Sequence, residues 1–319
     1  MKLLLTVCIA VAAARAAPSA ASKVVTLNTG VKMPAIQLGT CCGSDPGIGL
    51  APWLDAAEAA GFGTTDAPVG VDTAFDYSDQ TVISGVLKER GYLQQKRDQI
   101  FLTTKVPAGF GTATDCEADP EITLRYVREN LRELGVDQVD LVLIHRPCQP
   151  AGSSRGPVPP GTTPAQANQA LWDGARRALE LNLTRSIGVS NYAKADLEAL
   201  DMSGAVPSIN QCLLNVQQHD DETMAFCEQH GIQYEAYFAM KGCPFSGDGA
   251  DVVSAIGKKH GKSTSQVCLR WILDRGAVMA VGTGANATTA ASYAQENLDI
   301  FDFSLSADEV KQLDQLKKE

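Results

Sequence analysis

The sequence predicts an α/β protein: a (β/α)8 TIM barrel with an N-terminal β-hairpin, preceded by a signal peptide. Short apolar runs alternate with helical patterns along most of the chain, and its 319 residues suffice for the eight strand–helix units of such a barrel. The alternative fold is a doubly wound sheet. That fold is usually marked by a GxGxxG motif after its first strand, which this sequence lacks.

Residues 1–16 have the composition of a secretory signal peptide. Lys2 supplies the charged start and LLLTVCIAVAAA the apolar segment. Ala14-Arg15-Ala16 has a small-x-small pattern that predicts cleavage after Ala16, with cleavage after Ala14 as the alternative. We expect a secretory or extracellular location, or a cytoplasmic or organellar one if the signal is not used. Loss of Lys2 and Arg15 would change the formal charge from −10 to −12. So acidic a chain is expected to bind neither nucleic acid nor an anionic membrane.

The predicted barrel domain covers residues 24–319. Its first segment, VVTLNTGVKMPAIQLG, predicts a hairpin that turns at Asn28–Gly30 and leads into the first barrel strand. The segment Cys148–Thr163 is rich in Pro, Gly and Ser, and we interpret it as a long loop on the active-site face. The strand candidates are short apolar runs: Ile36–Gly39, Gly70–Asp72, Ile100–Lys105, Val139–His145, Ser186–Ser190, Ser208–Gln211, Gln233–Tyr237 and Ala277–Val281.

Three helices have clear signals between and after these strands. Pro120 suits the first turn of one helix, and Gly91 suits the C-terminal cap of another. Apolar residues recur at helical spacing in each: Leu124, Val127, Leu131 and Leu134 in the first, Val82, Ile83, Val86 and Leu87 in the second, and Val310, Leu313 and Leu316 in a closing helix at Ser306–Lys318.

Polar residues stand at the exits of several predicted strands. Asp72, Lys105 and His145 each close an apolar run, and Tyr77 follows Asp72 by five positions. Each residue taken singly has an ordinary explanation, such as a cap, a surface lysine or a core-edge aromatic. Because a polar group at a buried strand end needs a partner, all of them together predict one shared pocket.

This set of side chains can protonate a carbonyl oxygen. A free phenol has a pKa near ~10, and a nearby ammonium is expected to lower it. Lys105 would act in this way on Tyr77, while Asp72 keeps the lysine charged. A neutral His145 would hydrogen-bond the carbonyl oxygen and direct it toward Tyr77.

Several motifs together resemble the aldo-keto reductase family, from about Val24 to the C-terminus: VDTAFDY, FLTTKVP, VDLVLIHRP, SIGVSNY, INQ and QENLDIFDFSLS. The resemblance implies that Asp72, Tyr77, Lys105 and His145 form a catalytic tetrad with the tyrosine as proton donor. It also implies a nicotinamide cofactor, NADPH with NADH as an alternative. The implied cofactor contacts are Ser190, Asn191 and Gln211 at the carboxamide, Tyr237 on the ring, Glu296 and Asn297 at the adenine, and Thr40 and Thr283 nearby.

Two features depart from the family pattern. No Lys or Arg occurs between Gly276 and Val310, where the family usually binds the 2′-phosphate of NADPH, so NADH use stays open. Arg146 follows His145 where the family often has an aromatic residue. It is either a pocket residue that favours an acidic or polar carbonyl substrate, or an arginine of a surface loop.

We therefore expect a monomeric NAD(P)H-dependent enzyme that reduces aldehydes or small ketones to alcohols. The alternatives are a cofactor-binding sensor or regulatory subunit with little turnover and, more remotely, a barrel hydrolase with paired carboxylates. No CxxC motif occurs and there are only 4 histidines, so no metal site is expected. The cysteines left after signal cleavage permit disulfides, although adjacent Cys41 and Cys42 are not expected to pair.

Overall fold

The computed structural model describes residues 22–110 and 113–318, so the predicted signal peptide lies outside the described residues. The described chain begins with the predicted hairpin, in which β1 (Val24–Thr26) pairs antiparallel with β2 (Lys32–Pro34). Gly30 has φ +81° in the turn between them, a conformation that glycine adopts without a steric penalty.

A closed parallel barrel follows the hairpin. Each strand pairs with its neighbour in chain order, and the last strand closes the barrel by pairing with the first. This closure confirms the predicted TIM barrel and excludes a doubly wound sheet. The strands are β3 (Ile36–Gly39), β4 (Val69–Asp72), β5 (Ile100–Val106), β6 (Val139–Ile144), β7 (Thr184–Ser190), β8 (Ile209–Leu213), β9 (Gln233–Tyr237) and β10 (Val278–Val281).

Helices connect the strands around the outside of the barrel. Within the described part of the chain, none has both the length and the hydrophobicity that crossing a membrane requires. The helices are α1 (Pro46–Ala59), α2 (Gln80–Glu89), α3 (Glu121–Leu134), α4 (Pro164–Glu180), α5 (Lys194–Glu198), α6 (Asp221–Gln229), α7 (Ala250–His260), α8 (Thr264–Asp274), α9 (Ala290–Leu298) and α10 (Ala307–Asp314).

The three predicted helices form, with two differences in detail. All four apolar residues named in α3 are buried, but Val82 in α2 is 45% exposed, because α2 turns Ile83 and Leu87 toward the barrel. The closing helix α10 ends at Asp314, before the predicted Lys318. Its start agrees with the sequence, since the Ser306 hydroxyl caps the backbone N–H of Glu309.

Disulfides join several loops. Cys116 pairs with Cys148, which fastens the connection after β5 to the loop after β6, and Cys243 pairs with Cys268 of α8. The expectation that Cys41 and Cys42 do not pair is wrong, because the structure joins them. Cys42 has φ +63°, and this left-handed turn directly after β3 brings the two adjacent side chains together.

Candidate active site

A buried ion pair lies where β4 and β5 end. Lys105 Nζ donates to Asp72 Oδ1 at 2.6 Å, to the Thr73 carbonyl at 3.0 Å and to the Tyr77 hydroxyl at 3.3 Å. The Lys105 side chain is fully buried, and that of Asp72 nearly so. Burial lowers the pKa of Lys105, but the Asp72 carboxylate and the Tyr77 side chain together more than offset this and the pKa is raised. The lysine is therefore a permanent cation beside the phenol.

The phenol of Tyr77 differs from the expectation in one respect. The Lys105 charge does lower its pKa, as predicted, but burial raises the pKa by more, so the net shift is upward. The phenolate is disfavoured because it would be a second buried anion next to Asp72. The expectation of a net lowered pKa is therefore wrong, and Tyr77 keeps its proton at neutral pH.

His145 lies on the other side of the Tyr77 hydroxyl. Its Nε2 is 3.4 Å from the Tyr77 oxygen, and its Nδ1 is 2.9 Å from Asp76 Oδ2. Burial lowers the pKa of His145, against the opposing effect of its hydrogen bond to Asp76, so the ring is neutral at pH 7. A carboxylate only accepts hydrogen bonds, so Nδ1 carries the proton and Nε2 is the acceptor. Neutral His145 can thus orient the Tyr77 hydroxyl, and its predicted role toward a carbonyl oxygen stays a prediction.

A second buried carboxylate lies behind the ion pair and was not predicted. Glu235 of β9 is fully buried, and it accepts hydrogen bonds from Gln37 Nε2 at 2.7 Å and from Gln211 Nε2 at 2.9 Å. Gln211 Nε2 also lies 3.3 Å from Asp72 Oδ2. Gln211, predicted to hold a carboxamide, thus bridges two acids inside the barrel.

The electrostatics of Glu235 follow from this position. Burial, and then the neighbouring Asp72 carboxylate, raise the pKa of Glu235, while Gln211 and Lys105 oppose the shift. A hydrolase would need two carboxylates that reach the substrate. Because Glu235 is enclosed by two amides, the structure does not favour that alternative.

The residues predicted to hold the nicotinamide carboxamide come together at the strand exits. Ser190 Oγ donates to the Gln211 carbonyl at 2.7 Å. Asn191 Nδ2 donates to the His145 carbonyl at 2.9 Å, and Asn191 Oδ1 accepts from the Tyr237 hydroxyl at 2.6 Å. Asn191 has φ +62°, which asparagine tolerates better than most residues. Their roles toward a cofactor stay predictions.

The remaining predicted residues lie around the ends of β3 and β10. Thr40 Oγ1 is 3.3 Å from the Asp72 carbonyl, and Asn297 Nδ2 donates to the Gly282 carbonyl at 3.3 Å. Glu296 accepts from the Ser263 hydroxyl. Thr283 is buried against α1, and its hydroxyl has no hydrogen-bond partner among the described residues. These side chains surround the loop after β10, which carries no cation.

The described residues contain no group of three or more His, Cys, Asp or Glu placed to hold a metal ion.

Asp72, Tyr77, Lys105 and His145 thus come together at the strand exits of a closed parallel barrel. The chain belongs to the aldo/keto reductase family, whose sequence model matches residues 54–318.

Individual relatives match most of the chain. Morphine 6-dehydrogenase from Pseudomonas putida is 30% identical over 92% of this chain and 91% of its own length. D-galacturonate reductase from Fragaria ananassa is 30% identical over 89% of this chain and 86% of its own length. The crystal structure of an aldo-keto reductase from Bombyx mori in complex with NADP is 26% identical, covers 92% of both chains and superposes with a TM-score of 0.72.

Proposed function

We propose that this protein reduces aldehydes or small ketones to alcohols with a nicotinamide cofactor as hydride donor. The observation that carries the proposal is the Tyr77 hydroxyl, which lies 3.3 Å from Lys105 Nζ and 3.4 Å from His145 Nε2. This phenol retains its proton and has a permanent cation beside it, as a proton donor to a carbonyl oxygen requires. Family membership and the NADP complex of the Bombyx mori relative support the same reaction.

The cofactor, when bound, supplies the hydride to the carbonyl carbon. Tyr77 gives its proton to the carbonyl oxygen, and Lys105 stabilises the phenolate that forms. Asp72 keeps the lysine charged and in position through the 2.6 Å contact. His145, with its tautomer set by Asp76, holds the phenol hydroxyl in the site until the carbonyl oxygen takes its place.

The barrel mouth fits the nicotinamide end of such a cofactor. Ser190, Asn191 and Gln211 offer hydroxyl and amide groups suited to a carboxamide, and the Tyr237 ring lies beside Asn191. We propose NADPH as the cofactor, with NADH as the alternative, since the segment between Gly276 and Val310 lacks Lys and Arg. Each charge-assisted bond absent from the 2′-phosphate would weaken NADPH binding by about 1.5–3 kcal/mol.

Replacement of Tyr77 by Phe tests the mechanism. We expect kcat for a small aldehyde to fall by about 10²- to 10⁴-fold, the usual contribution of a positioned acid, while the Kd of NADPH changes little. Tyr92→Phe is the matched control, because it removes another phenol hydroxyl that bonds Glu58 instead. Turnover retained in Tyr77→Phe contradicts the mechanism. If the wild-type protein binds the cofactor tightly but reduces no aldehyde or ketone, the alternative function is favoured, that of a cofactor-binding sensor or regulatory subunit.

Fluorescence titration with NADPH and NADH in parallel tests the cofactor proposal. We expect NADPH to bind less than about 10-fold more tightly than NADH, because no cation of the loop after β10 is available to its phosphate. A preference above about 100-fold would show that cations from elsewhere in the chain reach the phosphate.

We also propose that the protein enters the secretory pathway, loses residues 1–16 and acts as a monomeric barrel domain formed by residues 24–319. The disulfides Cys116–Cys148 and Cys243–Cys268 support this route, because such bonds persist in oxidising compartments. N-terminal sequencing of the protein from a eukaryotic host should begin at Ala17. Retention of Met1 would contradict the route, and size-exclusion chromatography tests the monomer.

A further inference from the structure

An arginine lies at the barrel mouth directly after His145. Arg146 is half-buried, and its guanidinium carbon lies 5.3 Å from the centre of the Phe110 ring. The same Phe110 ring lies 4.4 Å from the His145 ring. The guanidinium is therefore joined to the tetrad through a single intervening aromatic side chain.

The position of Arg146 is held by the backbone. The N–H of Gly109 donates to the Arg146 carbonyl at 3.1 Å, which ties the loop after β5 to the end of β6. An added Cβ at Gly109 would collide with the Pro147 carbonyl, so the two segments are in close contact. Phe110 follows Gly109 and is kept beside the arginine. A guanidinium that packs against an aromatic ring loses less conformational entropy when it binds a ligand.

Arg146 forms no salt bridge with a carboxylate among residues 22–110 and 113–318. Two acids at the barrel mouth are engaged with other partners, Asp72 with Lys105 and Asp76 with His145. The Arg146 charge is also felt by Tyr237, whose pKa it lowers against the larger rise caused by burial. The Arg146 charge therefore makes the electrostatic potential near Tyr237 more positive.

A second cation lies close to Tyr237, separated from it by one aromatic ring. Lys241 Nζ is 4.8 Å from the centre of the Phe238 ring, and Phe238 packs edge-on against Tyr237 at 5.1 Å. The protein as a whole has a formal charge of −10. Cations at the entrance of an acidic protein attract anions to that entrance, while the negative charge of the remaining surface repels them elsewhere.

We propose that Arg146 binds the carboxylate of the substrate, so that the substrate class is a carbonyl compound that also carries a carboxylate. The proposal rests on the reductase function and specifies its substrate. A planar guanidinium presents two parallel N–H groups that match the two oxygens of a carboxylate. The carbonyl oxygen then reaches Tyr77 while the carboxylate is held by Arg146.

The test compares each acid with its own methyl ester, which has the same carbonyl but no charge. Succinic semialdehyde has the two groups at opposite ends, and phenylglyoxylate has them on adjacent carbons, so the two pairs also distinguish the geometry of the substrate. We expect wild-type kcat/KM to favour the acid of one pair by about 10- to 100-fold. In Arg146→Met this ratio should fall to near one, mostly through KM, and Arg146→Lys should restore part of it.

The ratio is taken within each variant, so a general loss of catalysis cancels. Arg128→Met is the matched control, because Arg128 is an exposed arginine of α3, and its ratio should equal that of wild type. An acid-to-ester ratio that is unchanged in Arg146→Met overturns the proposal.

If no carbonyl compound is reduced, the reductase proposal fails, and the anion site is judged by calorimetry with 4-hydroxybutyrate. Binding lost in Arg146→Met supports the anion site, and equal binding in both proteins overturns it.

Discussion

Replacement of Lys105 by Met tests the buried ion pair that positions Tyr77. The Lys105 Nζ and Asp72 Oδ1 atoms are 2.6 Å apart. At an effective dielectric constant of about 20, their Coulomb attraction is about 6 kcal/mol, part of which offsets the cost of burying both charges. Lys105→Met leaves the Asp72 carboxylate buried without its cation. We expect the free energy of unfolding to fall by about 3–5 kcal/mol, and Asp72→Asn to produce a similar loss.

The double variant Asp72→Asn/Lys105→Met should lose less than the sum of the two single variants. Neither charge is then left buried alone, so the coupling energy should be about 2–3 kcal/mol. Urea unfolding followed by both tryptophan fluorescence and far-UV circular dichroism measures these differences. If the two unfolding curves coincide, unfolding is a single transition and the free energies can be compared.

A surface ion pair provides the matched control. Arg90 and Asp55 are also 2.6 Å apart, but their side chains are 38% and 62% exposed. The cycle of Arg90→Met and Asp55→Asn should give a coupling energy of only about 0.2–1 kcal/mol, because water screens the charges. A coupling energy of Asp72 with Lys105 that is no larger than that of Arg90 with Asp55 would refute the prediction, because burial would then not determine the strength of an ion pair.

Three further predictions follow from the other buried contacts. Burial, and then Asp72, raise the pKa of Glu235 in the folded protein. The contribution of Glu235 to the free energy of unfolding should therefore fall as the pH rises from about 4.3, the pKa in the unfolded chain, through the raised pKa of the folded state. Glu235→Gln should therefore gain urea stability relative to wild type between pH 5 and pH 8, and a constant difference would contradict this. Because Asp76 opposes the lowered pKa of His145, His145 should titrate at a lower pH in Asp76→Asn, as measured by NMR; a rise would be inconsistent with the 2.9 Å contact. The disulfide Cys116–Cys148 spans 32 residues, and its replacement by two serines should cost about 3–4 kcal/mol of unfolding free energy, which an unchanged urea midpoint would disprove.

The architecture and the tetrad could be predicted from the sequence because both depend on local patterns. Apolar runs marked each barrel strand to within about two residues of its observed ends. In a closed parallel barrel all strands end on the same face, so Asp72, Lys105 and His145 had to lie near one another. Lys105 and Asp72 do meet, at 2.6 Å.

The residues that sequence reasoning missed depend on partners far away in the chain. Glu235 lies in the run QYEAY on the same strand face as Tyr237, which was a usable signal, since alternate residues of a strand share a face. Its partner Gln37 is 198 positions away, so only the folded barrel shows that the acid is enclosed. Asp76 was overlooked beside Tyr77 because its contact with His145 spans 69 positions.

By itself, the sequence determined the order of strands and helices, the hairpin turn and the polar residues at the strand exits. These depend on neighbouring residues and on the geometry common to every parallel barrel. Only the tertiary structure decided that Tyr77 keeps its proton, that His145 contacts Asp76 through Nδ1 and that Arg146 lies against Phe110 with no carboxylate partner among the described residues. Burial and the distances between remote side chains control these properties, and such quantities exist only once the chain has folded.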